Sequence, residues 1–517
     1  MIVAVRRHPQ AVRLSEDPEW AELLPHQRTR QSVARGPEGP TAVGSDQQDI
    51  DAVTSFCLAH GLRVVEASAH DSRVVVEGAA EDLRRAFGDG GSDKPAPGGP
   101  RAGGGGALRS AATLHGVVVG VFGLHDRPVV GPLPIKVAPP WGSRPTVTAA
   151  DLIERYQFPD ETGTGQRVAI IELGGGFRPE DLVTFFAPRP VPTVTVVEVG
   201  GASNRPEPVA DVAALMEWMA AVARGEVPTT QPPDAGRSTY EVTMDIQLVG
   251  AFAPDAEIVV YFADNTEVGL LDAFHEVLDP AGQRPSVVSV SWSWAEAGTP
   301  LERRINDVLA DAAHAGLTVC VASGDYGSTG PPDPSDPDDH LCPEFPGTSH
   351  YALACGGTTL EHQDGRIHDE VVWTTPVGMS SGGGVSAGFA RPPWQTGHGV
   401  PTRPDGFVGR GIPDVSAVAD PTTHIDVFAG GQWGPASGTS AAAPLWAGLI
   451  ARLNESLGTR VGYLNPLLYR LALAQPSITL DVIKGSNGAY VAGPGWDACS
   501  GVGSPDGKKL LAALRGS

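Results

Sequence analysis

The chain has 517 residues, 41% of them apolar, and a formal net charge of −23. That length exceeds one ordinary domain, and no apolar run reaches the roughly 20 residues of a bilayer span, which argues against a membrane protein. So acidic a chain repels phosphate backbones, which argues against nucleic-acid binding. In chain order, the opening "MIVAVRRHPQAVRL" lacks the sustained apolar core and small-residue cleavage site of a Sec signal peptide. "LRVVEAS" and "SRVVVEG" then read as strands and "GAAEDLRRAFG" as a helix, followed by a Gly-rich flexible loop over 88–107 and a further strand in "GVVVGVFGL". A Pro-rich stretch, 126–145, reads as a linker, and the charge changes there. Residues 1–140 carry 15 Lys+Arg and 16 Asp+Glu, the remainder 22 and 44, so two unlike domains are expected. Discharge of the second domain's carboxylates at low pH would relieve self-repulsion, which fits an acidic working environment and equally fits a plain soluble surface.

After residue 150, short β-branched runs alternate with helical segments: "RVAIIEL" (167–173), "TVTVVEV" (193–199), "AEIVVYFA" (256–263), "SVVSVSW" (286–292) and "TVCVASG" (318–324). Continuous apolar strands between helices predict an α/β fold, a doubly wound and mainly parallel sheet covered on both faces. A site is then expected at the carboxyl ends of the strands. The five cysteines, Cys57, Cys320, Cys342, Cys355 and Cys499, are scattered and give neither a disulfide framework nor metal-ligand spacing.

Three segments could carry chemistry. Asp325, in "SGDYGSTG", falls in a tight turn at a strand end, where an Asp also simply braces turns. Glu241 and Asp245, in "STYEVTMDIQLVGAFAP", share one helix face, although Ser238 and Glu241 also have the spacing of a capping box. Like charges four apart cost about 0.2–0.5 kcal/mol even on an isolated helix, and more when buried. Ser440, in "PASGTSAAAP" (435–444), stands among small residues before the apolar "LWAGLI". It is expected at a helix N-terminus, whose free N–H groups favour developing negative charge, with Pro444 in the first turn.

G-T-S-x-A-x-P, residues 438–444, resembles the serine motif of subtilisin-like peptidases, which use a Ser-His-Asp triad. Their H-G-T-H-like segment is missing: His60 and His115 precede the linker and His398 lies in a Pro-rich loop. A second resemblance fits better. "RYQFP", "VAIIELGGGF", "EVTMDIQLVGAFAPDAEIVVYFADNT", "SGDYGST", "ACGGT", "SGTSAAAP", "GYLNP" and "AGPGWDACSGVGSP", spread over 155–505, are similar to the sedolisin (serine-carboxyl peptidase) family. This resemblance implies a subtilisin-like catalytic domain over 146–517 in which glutamate replaces histidine. It also implies an α+β, ferredoxin-like activation propeptide over 1–125 that inhibits the enzyme, with maturation cleavage in 126–145. Carried over, Ser440 is the nucleophile, Glu241 the general base, Asp245 its hydrogen-bond partner and Asp325 the oxyanion donor. Glu172 and Trp292 extend the proton network.

The resemblance further implies one structural calcium ion, held by Asp481, the carbonyls of Val482, Gly493 and Gly495, and Asp497. Two carboxylates with main-chain oxygens suit that hard cation; without the resemblance the segment reads as a Gly-rich loop. The expected protein is a monomeric, secreted, acid-active endopeptidase acting on proteins or peptides. The rivals are a conventional Ser-His-Asp peptidase and an inactive homologue serving as a binding module. Residues 204–237 exceed the family's usual length. They read as a surface helix, with shaping of substrate access as the alternative.

Overall fold

The computed structural model describes residues 1–7, 23–28, 44–88, 114, 116–124, 128–129, 146–226, 232–279, 283–331, 341–375 and 378–516. The expected loop at 88–107 and linker at 126–145 lie outside the described residues, except for positions 88, 128 and 129.

The N-terminal unit comprises Ile2–Val5 (β1), Gln47–Ala59 (α1), Arg63–Ser68 (β2), Arg73–Glu77 (β3), Ala80–Phe87 (α2) and Val118–Phe122 (β4). Its sheet runs β2–β3–β1–β4 with antiparallel neighbours, the ferredoxin-like arrangement. Alternation along β1 explains how it is built into the molecule. Val3 and Val5 pack with Ile50, Val53 and Cys57 of α1, closing a small core. Ile2 and Ala4 point the other way, into a core shared with the larger unit.

The larger unit is built on Arg167–Leu173 (β5), Val194–Glu198 (β6), Glu257–Ala263 (β7), Val287–Val290 (β8), Thr318–Ala322 (β9), Ala352–Gln363 (β10), Arg366–Val372 (β11) and Val415–Val418 (β12). The sheet order is β11–β10–β9–β8–β5–β7–β6, with β12 also beside β10. Every pair is parallel except the β10/β11 hairpin. Within β5, Val168 and Ile170 enter one core while Ala169, Ile171 and Leu173 enter the other. Both faces are therefore covered, which is why the strands read as unbroken apolar runs.

Arg237–Phe252 (α4) and Thr439–Leu457 (α7) cover the first face, and Glu267–Leu278 (α5) and Pro300–His314 (α6) the second. Gly448 lets α7 press against α4, since a Cβ there would stand 2.7 Å from Phe252 Cβ. The N-terminal sheet sits on α5 and α6. Arg7 pairs with Asp311, and Arg73 Nη1 donates to Asp272 at 2.8 Å.

One local expectation is corrected. Helix α7 begins at Thr439, so Pro444 lies in its second turn rather than its first. Lacking an N–H, Pro444 leaves the Ser440 carbonyl without its helical partner, and Ser291 Oγ stands 3.4 Å from that oxygen. The described part of the 204–237 segment holds a surface helix with one buried face. Val209–Ala223 (α3) buries Val212, Leu215, Met216, Trp218, Met219 and Val222. Val209, Ala210, Ala214 and Glu217 are exposed on its other side, so α3 lies at the surface with its apolar stripe turned inward.

Candidate active site

Because β5, β8 and β9 are parallel, their carboxyl ends open on one edge. Glu172 lies at the end of β5, Ser291 and Trp292 follow β8, and Asp325 follows β9. Helix α4 brings Glu241 and Asp245 to this edge, and α7 brings Ser440. A cavity of about 330 Å3 is lined by Glu241, Asp325 and Ser440, with Trp292 and Glu344 beside them. Asp245 and Glu172 are fully buried. No histidine lines the cavity among the described residues. His398 instead packs edge-on against Tyr469, with the ring centroids 4.8 Å apart.

The capping-box reading of Glu241 fails, because α4 starts at Arg237 and Ser238 lies within its first turn. The cap is supplied by Glu207, whose carboxylate accepts from the Gly236 N–H at 2.8 Å and the Thr239 N–H at 2.9 Å. Glu241 is thereby left to face the cavity. Its Oε1 has no hydrogen-bond partner, and the same is true of Asp245 Oδ1 and Glu172 Oε1. Three buried carboxyl oxygens without donors, on groups that repel one another, call for protons among them.

The second oxygens of Asp245 and Glu172 are held. Ser291 Oγ donates to Asp245 Oδ2 at 2.7 Å, and Trp292 Nε1 donates to Glu172 Oε2 at 3.1 Å. Ser440 Oγ donates to the Ser291 carbonyl at 3.3 Å. Ser291, absent from the residues expected at the site, thus links Asp245 to Ser440. Its position between an apolar strand and Trp292 was the available signal.

Burial dominates the electrostatics. It raises Glu172 and Asp245 well above the carboxylate range, and the neighbouring carboxylates add to both shifts. Burial pushes Glu241 up to about 8; the Asp325 charge adds, while Ser440, Ser291 and Arg237 oppose. Asp325 is also raised by burial, against two donors from Thr439. Those donors choose its tautomer. Thr439 N–H at 2.7 Å and Thr439 Oγ1 at 2.9 Å both donate to Oδ1, which leaves Oδ2 to carry a proton. Gly438, at φ 81°, makes room for it, since a Cβ there would stand 2.5 Å from Asp325 Oδ2.

Glu344 was not anticipated. Burial pushes it up to about 8, and Ser293 Oγ donates to it at 2.6 Å. It sits on a two-residue strand, Glu344–Phe345, within the Pro-flanked "CPEFPG", where no periodicity marks it.

Asp481, Val482, Gly493, Gly495 and Asp497 gather in one C-terminal loop, away from this cavity. Asp481 Oδ2 accepts from the Gly495 N–H at 2.9 Å and Asp497 Oδ2 from the Gly493 N–H at 3.1 Å. Neither carboxylate has a basic side chain as partner among the described residues. Asp497 also accepts from the N–H groups of Cys499 and Ser500, and two carboxylates in one loop with the Val482, Gly493 and Gly495 carbonyls fit a hard divalent cation by their chemistry. All five cysteines are free thiols.

A model of the subtilase family matches residues 235–466. Kumamolisin from Bacillus sp. (strain MN-32) is 38% identical over 525 residues, covering 96% of this chain and 87% of that protein. Tripeptidyl-peptidase sed5 from Aspergillus fumigatus is 27% identical over 576 residues, covering 99% and 92%. Among solved structures, Pseudomonas sedolisin, a serine-carboxyl proteinase complexed with pseudo-iodotyrostatin, superposes with a TM-score of 0.58 at 27% identity. That match covers 73% of this chain and 100% of the solved one.

Proposed function

Because the chain belongs to the sedolisin family of serine-type peptidases, we propose that it is an acid-active endopeptidase, made as a zymogen, in which carboxyl groups replace the histidine base. The observation that carries this reading is the gathering of Ser440, Glu241, Asp245 and Asp325 at one strand edge around a cavity that no described histidine lines. Ser440 Oγ attacks the peptide carbonyl and gives its proton to Glu241, which returns it to the leaving amine. Water then releases the acyl group by the same route. Attack requires Ser440 Oγ to leave the Ser291 carbonyl and turn to Glu241. Catalytic hydrogen bonds of free enzymes commonly tighten only with substrate in place. Asp325, protonated on Oδ2, donates to the oxyanion, beside the N-terminal end of α7. One such donor is worth about 2.7–4 kcal/mol. Asp245 and Glu172 act as positioning residues that hold protons behind Glu241.

The working form has Glu241 ionised and Asp325 protonated. Repulsion between them means that the pair titrates in two macroscopic steps and holds one proton over the window between. Activity falls below that window as Glu241 is protonated, and above it as Asp325 loses its proton. The profile is therefore bell-shaped; its acid centre rests on the family resemblance and requires that donation from Ser440 and Ser291, which lowers the Glu241 pKa, outweigh burial once substrate is bound.

The ferredoxin-like unit acts as the inhibitory propeptide, released by cleavage between it and residue 146, and the mature enzyme works outside the cell. Asp481, Asp497 and the carbonyls of Val482, Gly493 and Gly495 hold one calcium ion, which cross-links the C-terminal loop and takes no part in the chemistry. Casein hydrolysis at pH 3–5 tests the reading, with Ser440→Ala and Glu241→Gln both expected to be inactive. An active Glu241→Gln would return the base to a distant histidine. An inactive wild type would favour a binding module.

A further inference from the structure

Helix α3 supplies none of the catalytic groups, yet one of its faces reaches their cavity. Leu215, Trp218 and Met219 line the same space as Glu241 and Ser440. Their spacing, three and four residues apart, places them on one helix face. They are 3%, 8% and 7% exposed and belong to the main hydrophobic core, so packing fixes this wall.

The seat of α3 is cut to shape. A Cβ at Gly430 would stand 2.9 Å from Val212, and one at Gly434 would stand 2.7 Å from Met216 Cε. Its entry is also tied to the general base. Glu207, just before α3, caps the helix that carries Glu241, and its own N–H donates to Thr239 Oγ1 at 2.7 Å. Helix α3 and Glu241 therefore keep a fixed register. The charged groups that line the cavity, Asp234, Arg237 and Glu344 among them, all come from outside α3.

We infer that α3 builds an apolar subsite for one substrate side chain next to the scissile bond, accepting a large aliphatic or aromatic group. This rests on the reading of Ser440 and Glu241 as the catalytic pair. A charged side chain placed against Leu215, Trp218 and Met219 would lose its water and find no charged partner on that wall. An apolar one is selected by contact area, and pockets of this kind discriminate by about 10–200-fold.

The test is cleavage at acid pH of peptides varied one position at a time across the scissile bond. At one position, wild type is expected to cleave Phe or Leu peptides at least about tenfold faster in kcat/KM than Ala or Lys peptides. Trp218→Ala and Met219→Ala should collapse that ratio to within about threefold at that position. Trp218→Leu keeps an apolar core residue and should move the optimum to a bulkier side chain if Trp218→Ala does not fold. A ratio that survives in the folded variants, or a wild type with no apolar preference at any position, overturns the subsite. Ser440→Ala run in the same assay separates the two readings. Wild-type cleavage that Ser440→Ala abolishes leaves the peptidase standing while the subsite is judged, whereas no wild-type cleavage removes the peptidase first.

Discussion

Glu172, Asp245, Glu241, Asp325 and Glu344 are acids that burial keeps protonated above the usual range. A carboxyl whose folded pKa exceeds its unfolded value, about 4, makes the folded chain bind more protons than the unfolded chain. Its stabilising contribution is complete below the unfolded pKa and is lost as pH rises through the folded one. His275 and His350, lowered by burial to about 3 and about 4, work in the opposite sense below pH 6.5. The window for these acids is therefore pH 6.5 to about 8, where the buried Met1 α-amino group, lowered from its usual value, opposes them. In the Ser440→Ala background, which removes self-digestion, Tm is expected to fall across that window, and Glu241→Gln with Asp245→Asn to flatten the fall. A Tm that rises from pH 6.5 to 8 would contradict the burial of these acids. At this scale Ser440, Glu241, Asp245 and Asp325 were legible, because they sit in recognisable stretches at predicted strand ends and on one helix face. Ser291 and Glu344 were not. One acts through its position after a strand, and the other sits in a short strand with no periodic signal.

At the scale of elements, the turn into α7 decides where Asp325 stands. Gly438→Ala would place a methyl on Asp325 Oδ2 and strain a positive φ, a backbone cost of about 1–2 kcal/mol. Loss of the oxyanion donor costs about 10²–10³ in kcat. Activity should therefore fall about a hundredfold or more while the chain still folds; a variant within about threefold of wild type would argue against Asp325 as donor. The C-terminal loop carries a separate prediction. A bound ion at 100 times its Kd stabilises by about 2.7 kcal/mol, so EDTA should lower Tm by several degrees and calcium should restore it. An unchanged Tm would remove the ion from the account. The strands of the parallel sheet were legible because both faces are buried and the runs are continuous. Helix α3 was legible as a surface helix, but its reach to the cavity was not, because its seat depends on glycines at 430 and 434, some 200 residues away.

For the whole molecule, the N-terminal unit covers α5 and α6 through a shared apolar core and a set of ion pairs. Arg7 meets Asp311, Arg73 meets Asp272, and Arg304 donates to the Asp71 carbonyl. His275 lies among them, its Nε2 3.3 Å from Arg304, and burial with the charges of Arg304 and Arg73 keeps it neutral against the opposing pull of Asp71. Acid protonates the carboxylates and favours a charged His275, so both changes loosen this contact as pH falls. Arg7→Ala with Arg73→Ala should process several-fold faster than wild type at the same mildly acidic pH, followed by N-terminal sequencing of the product. Equal rates at every pH would mean that these pairs do not restrain the unit. The two-domain division was visible in the charge asymmetry, whereas the face joining the units was not, because it depends on which side of β1 each residue points.

The most direct test of the central claim is the pH dependence of kcat/KM on a peptide substrate from pH 2 to 8, measured for wild type beside Ser440→Ala and Glu241→Gln. A bell centred in acid that vanishes in both variants is the expected result. A wild-type rate that stays flat to pH 8, or a Glu241→Gln enzyme that retains activity, would contradict a carboxyl group as the base for Ser440.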